Sequence, residues 1–288
     1  MPTAIMTDTN SGAQNAPGLF VLPMPVIIDG QNYFEGHDLS HADLYAAMRA
    51  GRDVHSSQPA PGDFLDMWNT ILVSGYDDLV YIPMSSSLSG ACETVRSFAA
   101  AYGDKVVVVD NRRISVTLFE SVQQALRMAE RGVPAKEIKA TLEAEAANSS
   151  IYIAVNSLEY LKRSGRVTAA GAAIADVLNL KPLLTIQGGK LDAFAKVRGM
   201  KNCRKRMVEA VGADLHERFA AWPTSQVRIG TAGTFEKEED AVSWKEQVAA
   251  AFPEYEVYYQ PLSCSIACYV GIDAVGVGIS CIEAPSAE

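Results

Sequence analysis

Residues 79–109 read LVYIPMSSSLSGACETVRSFAAAYGDKVVVV, and this stretch decides the fold class. Leu79–Ile82 is a short apolar run that reads as a strand. Apolar positions from Ser89 to Ala101 recur at helical spacing, and Val106–Val109 is a second, β-branched strand. Strand, helix and strand in succession make a βαβ unit, which implies parallel pairing. The polar loop Ser85-Ser86-Ser87-Leu88-Ser89-Gly90 then lies at a strand's carboxyl end and opens a helix.

Outward from this unit the pattern repeats. Upstream, Ala4–Met6 is a short strand ending in Thr7-Asp8-Thr9-Asn10-Ser11, and Val26–Asp29 with Asn32–Phe34 predicts a hairpin across Asp29-Gly30. The apolar spacing of Phe64, Leu65, Trp68, Ile71 and Leu72 predicts a helix from Gly62 to Val73, closed by Gly75. Downstream come helices near Ser115–Arg131 and Ala135–Ala147 and the strand Ile151–Val155. Residues 1–155 therefore read as an α/β domain around a largely parallel sheet.

The second half is patterned differently. After a helix at Ser157–Arg163 and a turn at Ser164-Gly165, an Ala-rich helix (Ala169–Leu178) leads to a hairpin of Leu183–Ile186 and Leu191–Ala195 around Gly188-Gly189. A basic helix (Met200–Phe219), a strand (Val227–Thr231), an acidic-faced helix (Lys237–Ala251) and strands at Glu256–Tyr259 and Gly276–Ile282 follow. This order predicts an α+β domain with a mixed sheet over residues 156–288, the boundary falling near Asn156.

Composition narrows the function. The 288 residues are 48% hydrophobic and carry a formal charge of −9, but Lys162 to Arg206 holds eleven basic residues against Asp176 and Asp192. An acidic chain does not coat nucleic acid, whereas one basic window can meet a phosphorylated ligand or an acidic partner. No apolar run approaches the ~20 residues of a membrane helix, and the amino terminus lacks a signal-peptide pattern. A cytoplasmic location without membrane insertion is the expectation. Five scattered cysteines lack a Cys-x-x-Cys, so neither a disulfide framework nor a metal site is expected. Cys264 and Cys268 have no histidine near them in sequence and read as small buried residues of a strand region.

Ligands of open α/β sheets collect at strand carboxyl ends. Three polar segments qualify: Thr7–Ser11, Ser56-Ser57-Gln58-Pro59 and Ser85–Gly90. Hydroxyls and free N–H groups at a helix start favour a carboxylate or a phosphate, although Ser there is also an ordinary N-cap. The chain lacks a Gly-x4-Gly-Lys-Ser/Thr loop and a Gly-x-Ser-x-Gly elbow. His37, His41 and His216 sit among polar residues typical of a solvated surface, and His55 alone adjoins a serine that it could activate. The run Glu236–Asp240 reads as a solvated helix start.

Taken together, the segments resemble the DegV family, bacterial fatty-acid-binding proteins that act as the B subunit of fatty acid kinase. Ile5–Ser11 is similar to the family's opening strand and Thr-Asp-Ser loop, Ser56–Pro59 to its Thr-Ser-Gln-Pro, and Ser85–Gly90 to its Ser-Ser-x-Leu-Ser-Gly. Leu161–Val167, Leu178–Pro182 and Lys196–Gly199 resemble its hallmark middle region. The resemblance implies one long-chain fatty acid in a tunnel of the amino-terminal domain, its carboxylate held by Ser56, by Ser85 or Ser86, and by Tyr269 at the place of a family histidine. It implies a partner ATP-binding kinase subunit that phosphorylates the carboxylate, with Arg166 and Arg198 facing the phosphate or the partner. The chain itself would then be a non-catalytic subunit holding neither cofactor nor metal. An orphan fatty-acid carrier or sensor is the alternative.

The departures bear on that choice. Tyr269 replaces the histidine, Asp273 replaces a glycine and adds a negative charge near the expected carboxylate, and Ser115–Phe119 replaces glycines whose absence could reshape the tunnel.

Overall fold

Thr3–Asp8 (β1) is buried along its whole length, as a central parallel strand must be when helices cover both faces. Around it lies an all-parallel sheet in the order β2 (Leu19–Leu22), β1, β6 (Asp78–Ile82), β7 (Val106–Val108). The period of two sorts its side chains cleanly. Ile5, Val80, Ile82 and Val107 face helices α4 (Ser115–Glu130) and α5 (Ala135–Ala144), while Ala4, Met6, Leu79, Tyr81 and Val108 face α2 (Pro61–Val73) and α3 (Ala91–Ala99). The computed structural model describes residues 2–173 and 180–282.

A six-stranded mixed sheet forms the other half, in the order β10 (Asp192–Arg198), β9 (Leu180–Ile186), β8 (Ser149–Ala154), β13 (Val275–Cys281), β11 (Val227–Gly233), β12 (Glu256–Pro261). Only β11 and β12 pair in parallel. One face is sealed by α8 (Met200–His216) and α9 (Glu238–Ala251), with Trp244, Met207 and Val211 against Ile229, Val277 and Ile279. The opposite face, carrying Ile151, Ile153, Leu184, Ile186 and Ala232, turns toward the first half. The chain is thus α/β with a parallel amino-terminal sheet and a mixed carboxyl-terminal one. The strand grouped in sequence with the first half, Ser149–Ala154, pairs with β9 and β13 and so belongs to the second sheet.

A small antiparallel sheet, β4 (Gln31–Phe34), β3 (Pro25–Ile28), β5 (Val54–Ser56), carries Ser56 at its end. It packs on α1 (His41–Arg49) and on α10 (Cys264–Val270), through Val26, Ile28, Leu44 and Val54 against Cys264, Ala267 and Cys268. Cys264 and Cys268 are therefore residues of a buried helix, not of a strand region. Two short helices, α6 (Glu159–Ser164) and α7 (Ala169–Ala172), complete the set. The predicted Ala169–Leu178 helix is observed to Ala172; its remainder past Ala173, the Leu178-Asn179 pair and the tail from residue 284 lie outside the described residues. Among those residues all five cysteines are free and buried, and no helix is long and apolar enough to cross a membrane.

Candidate functional site

The neighbours β1 and β6 send the chain to opposite sides of the sheet, toward β2 and β7, so a crevice opens at their carboxyl ends. Asp8 closes its floor. The Asp8 Oδ2 accepts from the Met84 amide at 3.2 Å, and its Oδ1 from the Asn10 amide at 2.9 Å and from Asn10 Nδ2 at 2.7 Å. Burial pushes this carboxyl up, and those donors oppose the rise. Asn10 Oδ1 in turn accepts from the Ser265 hydroxyl at 2.7 Å, so the loop after β1 fastens α10 to the crevice.

Above this floor lies a cavity of about 590 Å³, partly open to solvent. Asn10, Ser56, Ser57, Gln58, Ser89, Ser265, Tyr269 and Arg166 form its polar mouth, while Met24, Met84, Leu88, Ile114, Leu161, Leu191, Ile266 and Val270 line the rest. Leu88, Ile114, Leu191, Ile266 and Val270 also border a second cavity of about 470 Å³ between α4 and the six-stranded sheet. Among the described residues Ser115 is the only hydroxyl of that inner chamber, whose walls otherwise come from Val116, Ile151, Ile153, Ile186, Ala232, Leu262, Gly276 and Val277. A hydroxyl-rich mouth thus adjoins an apolar interior, the two sharing five apolar side chains. Its lining comes from both halves of the chain, so the expected tunnel of the amino-terminal domain alone is not what the fold builds.

Arg166 stands at the mouth. Its Nη1 donates to the Ser164 carbonyl at 2.7 Å and its Nε to the Leu88 carbonyl at 3.4 Å, and the guanidinium lies 5.2 Å from the Tyr269 ring centroid. Among the described residues it has no carboxylate partner. A positive charge held by neutral acceptors beside an apolar cavity is arranged for an incoming anion.

A family model described as "Uncharacterised protein, DegV family" matches residues 2–281. The chain belongs to the DegV family. A DegV domain-containing protein of Deinococcus radiodurans is 29% identical over 294 residues, covering 99% of this chain and 100% of its own. One from Streptomyces coelicolor is 32% identical over 215 residues, 73% of this chain and 76% of its own. Among solved structures, that of fatty acid binding by a DegV family protein from Thermus thermophilus superposes with a TM-score of 0.87 at 25% identity, over 98% of this chain and 100% of the other.

Of the site residues expected from the DegV motifs, Ser56, Arg166 and Tyr269 meet at the mouth. Tyr269 stands over Ser56: its hydroxyl donates to the Ser56 carbonyl at 2.9 Å and accepts from the Ser56 amide at 3.2 Å and from Ser56 Oγ at 3.0 Å. The phenol proton thus goes to the Ser56 carbonyl. Ser85 and Ser86 do not line the cavity. Ser85 is fully buried, its hydroxyl accepting from the Ser87 amide at 3.2 Å as a turn brace, and the Ser86 amide donates to Asp110 Oδ1 at 3.2 Å. Ser89, three residues on, takes the lining place, with Ser57 and Gln58 beside Ser56.

Arg198 does not line the mouth and is exposed on β10. Asp273 is exposed too and does not line the cavity; its amide donates to the Thr234 carbonyl at 3.0 Å. The missing family glycines leave a mark in the backbone instead: Asp273 and Ser115 both adopt left-handed geometry, with φ of 59° and 54°. His55 lies 3.6 Å from Asp53 Oδ2 through its Nδ1, while the Ser56 hydroxyl is taken by Tyr269, so His55 does not pair with Ser56 as a nucleophile. His41 is no solvated surface residue: its Nε2 lies 2.8 Å from the Leu262 carbonyl.

Proposed function

We propose that this DegV protein binds one long-chain fatty acid, alkyl chain in the inner chamber and carboxylate at the mouth. The observation that carries the reading is an apolar cavity adjoining a mouth of hydroxyls and one arginine that, among the described residues, lacks a carboxylate partner. Chain burial supplies affinity at roughly 0.8 kcal/mol per methylene. Neutral hydroxyls from Ser56, Ser57 and Ser89 satisfy the carboxylate's lone pairs without confining a second charge, and Arg166 balances it from the rim. Fatty-acid binding by the Thermus thermophilus relative supports the assignment. Native mass spectrometry of the purified chain tests it: a co-purifying fatty acid, or uptake of palmitate or oleate by delipidated protein, is expected. Absence of both overturns it.

We further propose that an ATP-binding kinase subunit meets this mouth and phosphorylates the exposed carboxylate. The support is electrostatic. Lys196, Arg198, Lys201 and Lys205 are exposed and, among the described residues, lack carboxylate partners, which leaves a positive face on β10 and α8 for an acidic partner, while Arg166 at the mouth would meet the new phosphate. The double reversal Arg198→Glu and Lys201→Glu should abolish acyl phosphate formation with a cognate kinase and leave oleate uptake unchanged. Loss of both together would count against this division. The alternative, a carrier uncoupled from any kinase, gains weight from Tyr269, whose proton is committed to the Ser56 carbonyl; acyl phosphate formation in reconstitution would exclude it.

A further inference from the structure

At the far end of α10 from Tyr269, three side chains from distant parts of the sequence converge. Glu35 follows β4, His41 begins α1 and Cys264 begins α10. Their ligand atoms all lie within 4.8 Å of one another. Glu35 Oε2 accepts from the Cys264 amide at 2.8 Å, and Glu35 Oε1 lies 3.5 Å from His41 Nε2. The Leu262 carbonyl oxygen is 2.8 Å from the same imidazole nitrogen. We infer that Glu35, His41 and Cys264 form a binding site for a divalent transition metal of the zinc class.

The donor set argues for that class. A thiolate, an imidazole and a carboxylate together suit a borderline-soft ion that tolerates a tetrahedral arrangement, and do not suit magnesium or calcium, which take oxygen. The Leu262 carbonyl stands where it could be a fourth ligand, and water is the alternative occupant of that position. Charge favours occupancy: a divalent ion balances one thiolate and one carboxylate. Binding would release the Cys264 thiol proton to solvent, because only the thiolate is a ligand. Access comes from the Glu35 side, since Cys264 is fully buried whereas Glu35 also lines a solvent-open depression beside His37 and Ser263. The ion would pin α10 to the segment between the small sheet and α1. That would fix the helix whose Ser265, Ile266 and Tyr269 line the lipid cavity. The inference does not rest on the fatty-acid reading.

Titration of the EDTA-stripped full chain with Co²⁺ tests it. The expected result is one equivalent bound, with a thiolate-to-cobalt charge-transfer band in the near ultraviolet that Zn²⁺ abolishes by displacement. Cys264→Ser should remove the band. Cys268→Ser, whose sulfur is 3.1 Å from the Cys264 carbonyl, should keep it. His41→Gln and Glu35→Gln should each weaken Co²⁺ binding by more than about tenfold, the lower bound for loss of an outer-shell partner; both side chains are half-buried, so these variants carry the test if circular dichroism shows Cys264→Ser unfolded. No charge-transfer band, or one that survives Cys264→Ser in a folded protein, overturns the inference.

Discussion

Arg166 and Ser56 sit on either side of Tyr269, and each answers a different question about the ligand. Ser56 offers a hydroxyl whose present partner is the phenol oxygen at 3.0 Å. Ser56→Ala should weaken oleate binding by about 1.5–3 kcal/mol if that hydroxyl turns to an ionised carboxylate. Arg166→Met keeps an apolar stem over the Tyr269 ring and deletes the charge. It should lower affinity for oleate and leave that for oleyl alcohol unchanged, both read by displacement of a fluorescent fatty acid; equal losses for the two ligands would mean that Arg166 acts through packing. At this scale the sequence exposes the motif residues but not their orientation. Ser56 and Ser89 face the cavity while Ser85, in the same serine run as Ser89, is turned inward to brace the loop, because a tight turn directs successive side chains to different sides. Asn10 and Ser265 join the mouth across more than half the chain, and no local pattern announces such a contact.

Elements differ in how plainly they can be read. The strands of the parallel sheet are legible because burial on both faces demands uninterrupted apolar runs. Helix α10 is not: Cys, Ser, Ile, Tyr and Val are indifferent helix formers, and seven residues are too few to display a period. Its one signal is the Ser263 cap, which accepts from the Ile266 amide. Helix α1 carried a fuller sign, the reciprocal Ser40 and Asp43 capping box. Helix α4 shows what an element can do between two sheets. It touches β1 on one side and crosses β11 and β13 on the other, where Gly230 and Gly278 leave room for Val116. A Cβ at Gly278 would lie 2.7 Å from Val116 Cγ2 and 3.0 Å from Thr117 Cγ2. Gly278→Ala should therefore cost about 1–3 kcal/mol of stability by overpacking and disfavour the longest acyl chains by crowding the inner chamber. Adding Val116→Ala should restore part of both, since the two sites are in contact and their effects do not sum. Denaturant midpoints and a chain-length series measure the two readouts.

On the scale of the whole molecule, the boundary between the two sheets is held partly by groups that dislike being there. Glu120, on α4, is buried against Tyr258 of β12. Burial pushes its carboxyl above the ordinary 4.5, and the Tyr258 hydrogen bond and the charges of Arg228 and Arg127 only partly offset this. The folded chain therefore holds this proton more tightly than the unfolded chain does. The sign follows: the contribution to stability is fully present below pH 4.5 and is lost as pH rises through the folded-state value. Glu120→Gln keeps a polar group beside Tyr258, whose hydroxyl donates to the Val116 carbonyl at 3.1 Å, and removes the charge that burial penalises. Its unfolding free energy should thus exceed that of the parent at pH 8, and the excess should shrink on acidification until it levels off below pH 4.5. Urea melts of both proteins across that range measure the difference directly. A constant difference would mean that Glu120 is not the titrating group, whereas an excess that grows toward acid would reverse the sign and show the carboxylate to be stabilised by Arg228 and Arg127 after all.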